Sequence, residues 1–163
     1  MGKWFLAAGV FGSKNKIGKW VKQGGVKKEV IKKVDVLVSY QGLHDITVSV
    51  KNVVSATAIE NGLCTLYIQH TSASLLIQEN YDPSARVDLE NWLNRLVPEN
   101  DNLYIHTLEG PDDMPAHIKS ALTAVSISIP VIDGQLALGT WQGIFLWEHR
   151  HHVSTRQVLI HLA

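Results

Sequence analysis

Val125, Ile127 and Ile129 alternate with Ser126 and Ser128, and Val34, Val36 and Val38 alternate with Asp35 and Leu37. A two-residue period sends every second side chain to the same face of a strand. The resulting apolar face has to be covered by a second layer, which restricts the chain to sheet on sheet or helices on a sheet. Residues 63–70, 103–107, 135–138, 144–149 and 157–162 read as further strands, and the hydroxyl-rich 71–77 as a strand or a loop. Asp133-Gly134 is a hairpin turn, and Pro130 is expected to end the strand before it.

Helices fill the gaps. Asp82-Pro83 joins an N-cap acceptor to a proline in the first turn. Val87, Leu89, Trp92, Leu93 and Leu96 then form an apolar face, with Trp92 in the core, and Pro98 stops the helix. Asp45-Ile46-Thr47 offers N-cap chemistry ahead of Ile46, Val50, Val53 and Val54 at helical spacing. The β-branched content makes a strand the competing choice there. Asn61-Gly62 is expected to close that element. A third helix opens with Met114-Pro115-Ala116-His117 and reaches Thr123, with Asp113 as its cap. The fold class is α+β: a compact single domain of mostly antiparallel, sandwich-like sheets with about three helices.

Charge is unevenly spread. Residues 1–33 hold nine Lys and one Glu, and the other 130 hold six Lys/Arg and 14 Asp/Glu. An acidic body argues against nucleic acid as a partner. Residues 1–28, Gly- and Lys-rich, read as a basic N-terminal extension to a domain covering 29–163. The extension is a surface tail or a start placed too far upstream, with a membrane-surface contact as the sharper alternative. Gly9 interrupts its apolar stretch and no small-x-small cleavage site follows, so the expected location is cytoplasmic. No apolar run is long enough for a transmembrane segment. The single cysteine, Cys64, excludes an internal disulfide and reads as a buried, inert thiol.

Eight His in 163 residues point to a small-ligand site. His70 adjoins Thr71, Ser72 and Ser74, whose hydroxyls suit phosphate oxygens or serve the loop backbone. Glu79 and Asn80 could bind a cation or orient an imidazole, whereas Asp82 is explained by capping. His106 and His117 bracket a turn holding Asp112 and Asp113. If that turn folds back, His106 and His117 converge and His70 can join them as a three-imidazole site for Zn²⁺ or Ni²⁺. One His oriented by a carboxylate for acid–base work is the alternative. Between Gly139 and Gly143, Trp141 could stack on a planar ring and Gln142 could read its edge, or Trp141 is simply a core or interface aromatic. Glu148 and Arg150 share a strand face as an ion pair, or Arg150 binds phosphate. His44, His151, His152 and His161 read as surface or strand-edge residues, with His151-His152 in a hairpin loop.

Five segments in order, HTSAS at 70–74, EN-x-DP at 79–83, GPDDMPAH at 110–117, GTWQG at 139–143 and EHR at 148–150, resemble the YjbQ-like family, also called the secondary thiamine-phosphate synthase family. The resemblance covers about residues 30–163. It implies a compact fold with sandwich-like sheets, a homotrimer, and an ability to join hydroxymethylpyrimidine diphosphate to thiazole phosphate with release of pyrophosphate. That activity is a secondary one, so the physiological role is left open. For such chemistry Asp112, Asp113 and Glu79 would hold Mg²⁺ through waters, and Arg150 and Lys119 would supply cationic charge. Ser72 and Ser74 would cap phosphate oxygens, Trp141 would stack on the pyrimidine, and His70 or His117 would move a proton. Two other readings are a metal-dependent enzyme such as a hydrolase using His70, His106 and His117, and a non-catalytic trimeric small-ligand-binding protein.

Overall fold

A computed structural model describes residues 29–163; the basic extension at 1–28 lies outside the described residues. The element order is β1 (Val30–Val38), β2 (Gly42–Asp45), α1 (Thr47–Ser55), β3 (Gly62–Ile68), β4 (Ala73–Glu79), α2 (Pro83–Leu96), α3 (Asp113–Leu122), β5 (Ser126–Ile132), β6 (Gln135–Leu136), β7 (Gln142–Glu148) and β8 (Ser154–Leu162). Two antiparallel sheets form, one of five strands in the order β1-β8-β3-β5-β6 and one of three in the order β2-β7-β4. The expected α+β class with about three helices is what the chain adopts.

The two-residue period explains the layers. Cys64, Leu66 and Ile68 of β3 and Val158, Ile160 and Leu162 of β8 face Ala73 and Leu75 of β4 and Ile144 and Leu146 of β7 in one core between the sheets. The alternate residues of β7, Phe145 and Trp147, point the other way and meet Leu43, Leu89 and Leu93 beneath α2. β7 is thus the middle strand of its sheet with both faces covered, and it is buried from Gly143 onward. Such a strand reads as a continuous apolar run rather than an alternating one.

Several expectations need correction. Residues 103–107 form turns and irregular backbone, not a strand. Trp92 is 53% exposed, because α2 turns Leu93 rather than Trp92 onto β7. Asn61-Gly62 does not close α1, which ends at Ser55; Gly62 opens β3 instead. β5 continues through Pro130 to Ile132, since a proline is tolerated where the strand lies near a sheet edge. β6 stops at Leu136 rather than 138. His151-His152 is no hairpin loop: β7 and β8 lie in different sheets, so the link crosses between layers. Asp133-Gly134 is the expected tight turn, with φ of 51° and 73°. Cys64 is fully buried, and burial pushes its thiol up to about 11.

Candidate functional site

The pairing of β4 with β7 decides which motifs meet. Ala73 pairs with Glu148 and Glu79 pairs with Gln142. Segments 70–74 and 148–150 therefore share one end of the small sheet. Segments 79–83 and 139–143 share the other, six residue steps or about 20 Å away. α3 packs on β4 and carries 110–117 to the first end, where Ser120 donates its hydroxyl to the Ala73 carbonyl at 3.1 Å.

At that end Asp113 is the hub. It is the first residue of α3 and 1% exposed. Its Oδ2 lies 2.8 Å from His106 Nε2 and 3.4 Å from His117 Nε2, while its Oδ1 accepts from Arg150 Nη1. One ligand atom from each of His106, Asp113 and His117 falls within 4.8 Å of the others. The other nitrogen of His117, Nδ1, is 3.3 Å from the Thr71 carbonyl. A carbonyl only accepts, so Nδ1 carries the hydrogen and the Nε2 lone pair faces Asp113. Two acceptors this close call for a cation between them, a proton or a metal. A backbone carbonyl behind one nitrogen and an arginine behind the carboxylate are the outer contacts that hold metal ligands in place.

Asp112 does not cap α3 with its side chain, and neither does Asp113. Asp112 Oδ2 accepts from Arg150 Nε and from the His151 amide, both at 3.0 Å. Burial pushes this carboxyl up, but those hydrogen bonds and the Arg150 charge outweigh it and hold the group below its ordinary value. Arg150 also donates to the Glu109 carbonyl at 2.7 Å. Its fork is therefore occupied by Asp112, Asp113 and the loop, and it does not pair with Glu148 except through its own backbone amide.

Glu148 instead takes Arg156 of β8, at 2.5 Å from Nε and 3.0 Å from Nη2. Both are buried. The remaining Arg156 nitrogen, Nη1, lies 2.7 Å from His70 Nε2, and the Ser72 amide donates to His70 Nδ1 at 3.0 Å. His70 is thus engaged beside the cluster rather than in it. On the other side of β7, His149 Nε2 is 3.0 Å from Ser74 Oγ, and burial pulls its pKa down to about 3, with the Lys119 charge adding to the shift. Lys119 is itself buried, which lowers its pKa, and it donates to Asn94 Oδ1 at 2.7 Å. It is not placed to meet a ligand, nor is Ser74, which is fully buried.

The far end holds the rest of the predicted set. Trp141 and Tyr81 are exposed there, with ring centroids 6.4 Å apart and planes 26° from parallel. Gln142 Oε1 accepts from the Gly139 amide at 2.8 Å, and the Asn80 amide donates to the Trp141 carbonyl at 2.9 Å. Glu79 sits at this end, so in one chain it does not share an ion with Asp112 and Asp113. A cleft of about 300 Å³ opens instead beside His106, lined by Asn100, Tyr104, Thr107, Pro111 and Met114. Arg156 escaped the sequence reading. Its signal was a charged residue in phase with Val158, Ile160 and Leu162 on the apolar side of a strand.

A two-sheet sandwich with α2 and α3 against the smaller sheet, carrying an imidazole–carboxylate cluster on α3 and the loop before it, defines the class. Residues 32–163 match the family described as "UPF0047 protein YjbQ-like". A UPF0047 protein of Synechocystis is 50% identical over 123 residues, covering 76% of this chain and 84% of that protein. The UPF0047 protein YjbQ of Salmonella typhimurium is 47% identical over 120 residues, 73% of this chain and 86% of its own. The solved structure of a conserved hypothetical protein from Thermus thermophilus superposes with a TM-score of 0.72 at 33% identity, covering 81% of this chain and 99% of that one. The chain belongs to the YjbQ-like UPF0047 family. Among the described residues no helix is long and apolar enough to cross a membrane.

Proposed function

We propose that the chain is a divalent-metal-dependent enzyme acting on a phosphate-bearing small molecule, with His106, Asp113 and His117 as the metal ligands. The observation that carries this reading is the His117 ring, whose Nδ1 is committed to the Thr71 carbonyl and whose Nε2 faces the Asp113 carboxylate at 3.4 Å. Two imidazoles and one carboxylate favour Zn²⁺ or Ni²⁺ over Mg²⁺, which prefers oxygen donors and keeps its waters. A bound cation would supply the charge that a diphosphate leaving group needs, or acidify a water. Asp113 would be held for that task by Arg150, and His117 by Thr71. His70, beside the cluster, is held by the Ser72 amide and Arg156 and takes no part as a metal ligand in this reading.

Thiamine-phosphate synthesis is the reaction that the family resemblance supports as the first to assay, as a secondary activity of the same site. A homotrimeric assembly belongs to the same reading. Leu103, Ile105 and Leu108, each at least 85% exposed in the loop that carries His106, support burial of that loop against another copy.

The test is elemental analysis and calorimetric titration of chelator-stripped protein with Zn²⁺, Ni²⁺ and Mn²⁺. One ion per chain is expected, lost in His117→Ala and Asp113→Asn, followed by a pyrophosphate-release assay on the loaded protein. No stoichiometric ion in wild type, or equal binding in both variants, overturns the reading.

A further inference from the structure

His70 presents a mismatch that the rest of the site does not resolve. The Ser72 amide, an obligate donor, points at Nδ1 at 3.0 Å. Arg156 Nη1, also an obligate donor, stands 2.7 Å from Nε2. A neutral imidazole offers one acceptor nitrogen and one N–H, and a protonated one offers no acceptor at all. A neutral ring therefore accepts from only one of these two donors, whichever tautomer it adopts; with Nδ1 accepting from the Ser72 amide two residues on, the ring's hydrogen is on Nε2. Two N–H donors then face each other, and Arg156, nine-tenths buried or more, has one arm without an acceptor. A buried donor without a partner costs free energy, and a charged one costs more.

The mismatch is built in from several directions. Glu148 grips Nε and Nη2 of Arg156 from β7, so the guanidinium cannot turn Nη1 away. β8 pairs Arg156 with Val36 of β1 and runs beside β3 from Val158 onward, which fixes the backbone that carries it. Ser72 is buried and its carbonyl accepts the His149 amide at 3.2 Å, which holds the loop under the ring. Burial, then Arg156, then His152 and Arg150 disfavour a proton on His70, against Glu148 alone favouring one.

We propose that Arg156 Nη1 and His70 Nε2 form an oxyanion subsite that takes a terminal phosphate oxygen of the substrate, next to the metal cluster. One acceptor-only oxygen lying against both nitrogens satisfies both donors and leaves the Ser72 contact intact. The His117–Thr71 contact ties this subsite to the cluster one residue away. The proposal deepens the phosphate reading above, but it needs no metal.

The probes are inorganic pyrophosphate and phosphate, titrated by calorimetry into chelator-stripped full-length protein, with acetate as the control. Saturable pyrophosphate binding is expected, weakened about tenfold or more in His70→Ala. Arg156→Gln alone strands Glu148 and could unfold the chain, so the paired variant Arg156→Gln/Glu148→Gln is the folded counterpart, and it is expected to lose binding. Absence of saturable binding in wild type overturns the proposal. So does unchanged binding in His70→Ala and the paired variant, or binding that His117→Ala abolishes and His70→Ala spares. Because the metal is absent throughout, failure here leaves the His106–Asp113–His117 reading standing, and failure of metal binding leaves this one standing.

Discussion

His149 shows how a single residue can govern pH response. Its imidazole is 1% exposed and kept neutral far below the ordinary histidine value, mainly by burial. In the unfolded chain the same ring takes a proton below about 6.5. The unfolded state then binds a proton that the folded state refuses, so stability falls as pH drops through the window from 6.5 toward 3. The slope from this group approaches about 1.4 kcal/mol per pH unit. His149→Gln is expected to flatten the urea-midpoint profile over that window relative to wild type; parallel profiles would contradict this. Arg156 and Glu148 make a different case. Removing one partner as Arg156→Met leaves a buried carboxylate without its ion and should cost about 3–5 kcal/mol. Arg156→Met with Glu148→Leu should recover most of that, as read by denaturant melts, because the cost lies in the stranded charge rather than in the pair.

α2 illustrates what an element's own pattern does and does not reveal. Asp82 accepts from the Ser84 amide at 2.8 Å and Pro83 opens the helix, both as the sequence chemistry dictates. Which side of the helix faces inward was not legible, because Leu89, Trp92, Leu93 and Leu96 span a wide arc and only the sheet position selects among them. Leu93→Ala is expected to cost about 2–5 kcal/mol. Trp92→Ala should stay within about 0.5 kcal/mol. Thermal melts of the two variants discriminate; the reverse ranking would mean that α2 sits rotated. The strands were legible where one face meets water, as in β5, and their partners were not. β4 and β7 were expected as separate motif carriers, and only their antiparallel register reveals that Trp141 and His117 lie at opposite ends. The site was half legible for the same reason. Histidines and aspartates announce themselves by type, but Arg156 sat unnoticed in an apolar row, and His70 traded a place in the cluster for a contact with that arginine.

At the scale of the whole molecule, the two sheets meet over one core and are bridged at one end by the Glu148–Arg156 pair and at the other by α1. β7 contributes to both apolar cores, so Phe145→Ala should loosen α2 and the small sheet together and cost about 3–5 kcal/mol in a single cooperative transition. Hydrogen exchange in β2, β4 and α2 rising in concert is the expected signature; exchange confined to α2 would separate the layers. The five-stranded sheet carries a further consequence. β1, the earliest strand described, pairs along its whole length with β8, from Val30↔Leu162 to Val38↔Ser154, and β8 lies between β1 and β3. During synthesis β1 has no strand partner among the described residues until more than a hundred residues have followed it. The ribosome thus delivers β1 and β3 as waiting edges, and the final strand closes the sheet by sliding between them, an assembly order that makes late translation the moment at which this chain is most exposed to wrong partners.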